Sequence, residues 1–235
     1  MTDISDTHDK MLQTLKNGGI LPSDIPRENQ VEITDYVNQA ICRRFLALLP
    51  GINLGDSCDP YVLREVQKLN PAAGEHEVTR ALDTAAAETI EAIKGRPAWK
   101  KANGLPAQAA EGIPRNLHLI KALDGALRTM FAEGIMWSQC CGNDKAPYLF
   151  HYMQAALSLR LLNRIPGFDT GSEIAEFDRK ILLQIHEFNE QPNVMDVGRI
   201  LDAAMDKTFE ELRLQDLQKI TVLKPLQLAA KTPGL

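Results

Sequence analysis

Apolar residues recur along this chain at the three-and-four spacing of an α-helix in almost every segment, while the two-residue alternation of a strand is nearly missing. A first helix is expected from an Asp6 cap through Met11, Leu12 and Leu15, stopping at Gly18-Gly19. A second, about 30–49, sets Ile33, Val37, Ala40, Ile41, Phe45 and Leu48 on one side and ends at Pro50-Gly51. Asp59-Pro60 reads as a cap followed by proline in the first helical turn. An alanine-rich helix, about 75–94, carries Val78, Leu82, Ala85, Ala86 and Ile93 and closes at Gly95.

Residues 95–114 break this pattern with Gly95, Pro97, Gly104, Pro106, Gly112 and Pro114. So long a loop is either a linker or functional. A fifth long helix is expected from Pro114 to about 139, with Ile120, Leu123, Leu127, Met130, Phe131 and Gly134 as its buried stripe. The helix about 145–164 is apolar nearly all round and belongs at the centre of a bundle. A helix capped by Ser172 and a last long one capped by Asn193 complete the series. Past Arg213 the apolar register slips, so the tail to Leu235 reads as a separate short helix or an extended arm, and its leucine-bearing stretch, Leu212 to Leu228, as an amphipathic segment.

Stripes of this width must pack on one another. The expectation is an all-α, irregular bundle of about seven to nine helices with little or no β-sheet. It forms one domain over 1–235 with an internal boundary in 95–114, and no internal repeat is discerned.

Composition narrows the function classes. Apolar residues make up 44% and charged residues 24%, so the chain folds rather than stays disordered. Its net charge of −5 disfavours nucleic acid and anionic membranes as partners. No apolar run approaches a bilayer-spanning length and no secretory signal opens the chain, so a cytoplasmic location is expected. Four cysteines at 42, 58, 140 and 141 are too few and too irregular for a disulfide scaffold.

Candidate chemistry lies at exceptions to the apolar pattern. On the 145–164 helix, His151, Gln154 and Ser158 form one narrow polar stripe, and Arg160 falls among Leu149, Met153 and Ala156. Arg44 sits likewise inside its helix's apolar stripe. Two inward arginines need carboxylates or an anionic ligand to offset desolvation. Two readings follow: internal salt bridges, with Asp178 a partner for Arg160, or an anion pocket in which Arg44 and Arg160, with His151 or Tyr152, bind a ligand. Cys140-Cys141 ahead of a helix could place a thiol nucleophile with His151 as its base, against the bland reading of an inert buried thiol. Arg96, Trp99, Lys100 and Lys101 combine charge with an aromatic ring as an interaction loop. His8, His76, His118, His151 and His186 show no metal-ligand spacing, Glu75-His76-Glu77 and His186-Glu187 read as solvated faces, and no inward glutamate is expected. Phosphate-loop, dinucleotide and serine-hydrolase motifs are missing, and no cofactor is indicated.

Elimination leaves a non-catalytic helical protein-interaction module (an adaptor, regulator or assembly factor), with a protein partner or self-association through the tail. The alternative is a small helical enzyme or ligand-binding protein using the pocket near Arg44, His151 and Arg160.

Overall fold

The computed structural model describes residues 4–47, 58–94, 119–142, 146–164 and 168–229. Among them are eight α-helices: α1 (Ile4–Asn17), α2 (Arg27–Leu46), α3 (Asp59–Leu69), α4 (Glu75–Lys94), α5 (Leu119–Ala132), α6 (Ala146–Leu162), α7 (Gly171–His186) and α8 (Val194–Ala229). A 3-10 turn, Ser138–Cys141, lies between α5 and α6. The all-α expectation holds, and the described residues contain no sheet. None of their helices is long and apolar enough to cross a membrane.

The helices form two copies of one four-helix unit. In the first, α2 packs on α1, α3 and α4, and α1 packs on α4; in the second, α6 packs on α5, α7 and α8, and α5 packs on α8. Detail repeats down to single atoms. The amides of Ile20 and Leu21 both donate to Leu15 O (2.9 and 3.1 Å), and those of Ile135 and Met136 both donate to Met130 O at the same distances. Each turn passes through a glycine at φ +68°, Gly19 and Gly134, a left-handed conformation that side chains resist. Asn70 ties the first turn by donating to Ile20 O (3.0 Å), and Asn189 ties the second by donating to Ile135 O (3.1 Å).

This overturns the expectation of no internal repeat. Once the helices are aligned, Val78-x-Arg80-x-Leu82-Asp83-x-Ala85 returns as Val197-x-Arg199-x-Leu201-Asp202-x-Ala204, and Tyr36, Ala40, Arg44 and Leu46 return as Tyr152, Ala156, Arg160 and Leu162. The spacing hides it: Arg44 lies 15 residues before its partner Asp59, whereas Arg160 lies 18 before Asp178. No fixed period runs through the chain.

The units meet through α2 and α6, and the contacts cross over as a pseudo-twofold axis requires. Asp35 of α2 pairs with Lys180 of α7; their counterparts, His151 of α6 and Tyr61 of α3, stack edge to face with centroids 4.2 Å apart. Such an isologous arrangement is that of a symmetric dimer, here within one chain.

Both units have ordinary apolar cores. Met11, Leu15, Ile33, Ile41, Phe45 and Leu82 are fully buried in the first, as are Met130, Met153, Phe177, Ile181, Ile185 and Leu201 in the second. Each contributes roughly 1.5–3 kcal/mol relative to exposure. α6 is buried round most of its surface, as its composition requires, and touches α2, α5, α7 and α8.

Other expectations change. The fifth helix stops at Ala132, because Gly134 turns the chain, instead of running to about 139. Ile120 and Phe131, placed in its buried stripe, are 51% and 41% exposed. Asp59 is the first residue of α3 and not its cap; its carboxylate is held by Arg44. Ser172 lies inside α7, whose cap position is Thr170. Glu65 and Glu173 are buried although inward glutamates were not expected; Glu65 is neutralised by Lys68 and Arg64 beside it. The α8 backbone stays helical to Ala229, in place of the separate short helix or extended arm expected after Arg213.

Candidate functional site

Arg44 and Arg160 stand near the C-terminal ends of α2 and α6, where cationic charge suits the helix dipole. Each guanidinium is filled by its own unit. Arg44 Nη1 and Nη2 donate to the two oxygens of Asp59 (2.9 and 2.7 Å), Nε donates to Asp83 (2.7 Å), and Nη1 also reaches Ala40 O (3.1 Å). Arg160 repeats this with Asp178 (2.9 and 2.7 Å), Asp202 (2.6 Å) and Ala156 O (3.4 Å). Bidentate pairing of this kind matches the planar fork of arginine. Burial pushes the Asp178 carboxyl above its ordinary value, and the Arg160 charge opposes that rise.

The two arginines are therefore separate, one in each unit, and each bridges three helices. No described contact joins Arg44, His151 and Arg160 into a common pocket. Of the two readings weighed from sequence, the geometry matches internal salt bridges, including the Asp178 partner.

His151 lies instead at the junction of the units. The polar stripe of α6 faces α2: His151 is edge-on to Tyr36 (5.3 Å between centroids), Gln39 donates to Gln154 (3.4 Å), and Ser158 is buried. The stripe is thus covered by α2 of the first unit and does not face solvent. Burial lowers the His151 pKa to about 4, and the nearby charges of Arg43 and Arg64 push in the same direction. The imidazole is neutral at neutral pH, and its buried Nδ1 has no hydrogen-bond partner among the described residues. Arg64 lies over both aromatic neighbours, 5.5 Å from the Tyr61 ring centre and 6.0 Å from that of Tyr36. Tyr152, the counterpart of Tyr36, packs against Phe177 with its hydroxyl near Asp35, and burial raises its pKa.

A thiol nucleophile finds no support in this geometry. Cys140 is buried in the 3-10 turn, burial raises the Cys141 thiol, and the ring contacts of His151 are to tyrosines. Burial also raises Cys58 to about 11 and Cys42 further. Arg96, Trp99, Lys100 and Lys101, with the whole 95–114 loop, lie outside the described residues.

Two clefts are present that sequence reading missed. One, of about 390 Å³, runs between α5 and α8 over Gly125, Ala203 and Ala204 and is flanked by Lys121, Arg128 and Lys207. The other, about 270 Å³, opens between α2 and α7 above Asp35 and Lys180. Neither holds a residue expected from sequence to bind a ligand.

The repeat supplies a more informative comparison, since equivalent surface positions can be read against each other. Phe131, Leu183, Val194 and Met195 of the second unit are 41%, 57%, 39% and 79% exposed. Their counterparts in the first are Lys16, Arg64, Glu75 and His76. Trp137, 48% exposed, follows the Gly134 turn where the first unit has Pro22. Only an alignment of the two halves of the chain, helix by helix, singles these positions out. Compared with models of protein families, with curated proteins and with solved structures, the chain matches none.

Proposed function

We propose that this chain is a non-catalytic, cytoplasmic helical module that binds another protein through the outer face of its second unit. One observation carries the reading: exposed apolar side chains at Phe131, Leu183, Val194 and Met195 replace charged or polar ones at the same positions of the first unit. Two units of one architecture face water alike, so an apolar exchange at several such positions has no use in folding. Clustered exposed apolar residues mark interaction sites. The free state of all four cysteines suits a reducing compartment.

The test uses the first unit as its own control. The variant Phe131→Lys/Val194→Glu/Met195→His carries the first unit's residues at exposed positions, and its melting temperature is expected to stay within a few degrees of the parent. Partners captured quantitatively by the parent chain in cells should be lost from the variant. An unchanged set of partners would overturn the reading.

A further inference from the structure

Four of the exposed groups sit on segments that hydrogen bonds hold together at one end of the second unit. Asn189, ahead of α8, donates to Gly134 O (2.9 Å) and Ile135 O (3.1 Å) in the turn between Phe131 and Trp137. Arg199 of α8 bridges to Glu133 just past α5 (2.5 and 3.3 Å). Asn193 caps α8 by accepting from the amides of Met195 (2.8 Å) and Asp196 (3.2 Å), which fixes Val194 and Met195 in the first turn. Phe131, Trp137, Val194 and Met195 thus share one end.

The charge around them is also one-sided. Segments 131–137 and 187–199 carry Glu133, Glu187, Glu190 and Asp196 against Arg199 alone. The equivalent segments of the first unit, 16–22 and 68–80, carry Lys16, Lys68 and Arg80 against Glu75 and Glu77. The second unit's end is therefore both more apolar and more acidic than its counterpart.

Resting on the interaction reading above, we infer that the partner is a basic amphipathic helix of another protein: apolar side chains cover Phe131, Trp137, Val194 and Met195, and lysines or arginines meet the carboxylate rim. Charge complementarity of this kind sets partner choice and association rate. A second copy of this chain is a poor occupant, because a symmetric contact through this end would set Glu133, Glu187 and Glu190 against a like set.

The experiment titrates the full chain into two fluorescein-labelled designed helices with one leucine face, the opposite face lysine in one and glutamate in the other. Anisotropy should report binding of the leucine–lysine helix, weakened about tenfold or more by Phe131→Lys/Val194→Glu/Met195→His and by raised salt. In a Trp99→Phe background, the emission of Trp137 should shift to the blue on binding. Equal binding of the glutamate helix, or indifference to the triple substitution, overturns the inference. So does a sedimentation mass that falls on substitution, which would assign the face to a second copy. If cellular partners are lost from the triple variant while the lysine helix never binds, the interaction reading stands and the basic partner fails; if neither depends on the face, both fail.

Discussion

Arg44 and Arg160 occupy equivalent places in the two units, each bridging one buried and one exposed aspartate with the same three nitrogens. The bridge differs in one neighbour. Thr79 donates to Asp59 Oδ2 (3.2 Å), whereas its counterpart is Gly198, whose carbonyl accepts from Arg160 (3.4 Å). A buried, fully satisfied bridge of this kind positions three helices, and removing one side of it leaves a bare charge.

Arg160→Met should therefore destabilise the chain by about 3–5 kcal/mol, because Asp178 is left charged and buried. Adding Asp178→Leu should recover most of that loss. Arg44→Met should cost less, since its side chain and that of Asp59 are 17% and 12% exposed against 5% and 8% for Arg160 and Asp178. Asp202→Ala, at a 64% exposed partner, should cost under about 1 kcal/mol. Chemical denaturation of the four variants checks the order.

His151 makes stability depend on pH. Its folded pKa, about 4, lies below the ordinary 6.5, so the unfolded chain binds the extra proton. The stabilisation is whole above pH 6.5 and is lost as pH falls through 6.5 towards 4. Allowing for solvent screening of a half-buried ring, the loss should be about 1–2 kcal/mol. Asp35 and Asp178, raised by burial, act in the opposite sense at lower pH. The clean readout is the difference in melting temperature between the parent and His151→Phe, which should stay constant above pH 6.5 and shift against the parent between 6.5 and 4.

Gly19→Ala and Gly134→Ala should each cost about 1–2 kcal/mol, the penalty of a Cβ in the left-handed region. Space is not the cause, since an added Cβ at either position would meet nothing within 4 Å. Comparable losses at the two sites in thermal melts would reflect their equivalence, and asparagine should be milder than alanine at both.

Asn189→Ala should destabilise by about 1–3 kcal/mol, because two turn carbonyls lose their donor. Asn70→Ala removes one such bond from a less buried side chain and should cost less. Hydrogen exchange at Ile135 and Met136 should speed up in the first variant, and at Ile20 and Leu21 in the second.

Helix existence was legible in the sequence because apolar spacing reports burial, and α6 betrayed its central place by being apolar all round. Which apolar residues face water was not legible. Ile120 and Phe131 lie beside the stripe that is buried, Leu119, Ala122, Leu123, Ala126 and Met130, and the apolar spacing does not mark that edge. The repeat is hard to read from sequence because core positions exchange one apolar residue for another, as Leu15 for Met130 or Val37 for Met153, while insertions shift the spacing between α2 and α3 relative to α6 and α7. The partners of Arg44 and Arg160 were half legible: Asp178 flanks its helix's buried stripe, but Asp59 looked like a cap because a proline follows it.

The central claim is that the buried polar chemistry of this chain joins its own helices. A thermal-shift screen of the parent and Arg160→Met against anionic metabolites and nucleotides tests it most directly. The account predicts a flat screen for both proteins and a lower melting temperature for the variant. An anion that adds about 2.7 kcal/mol at 100 times its Kd to the parent, and nothing to Arg160→Met, would contradict it.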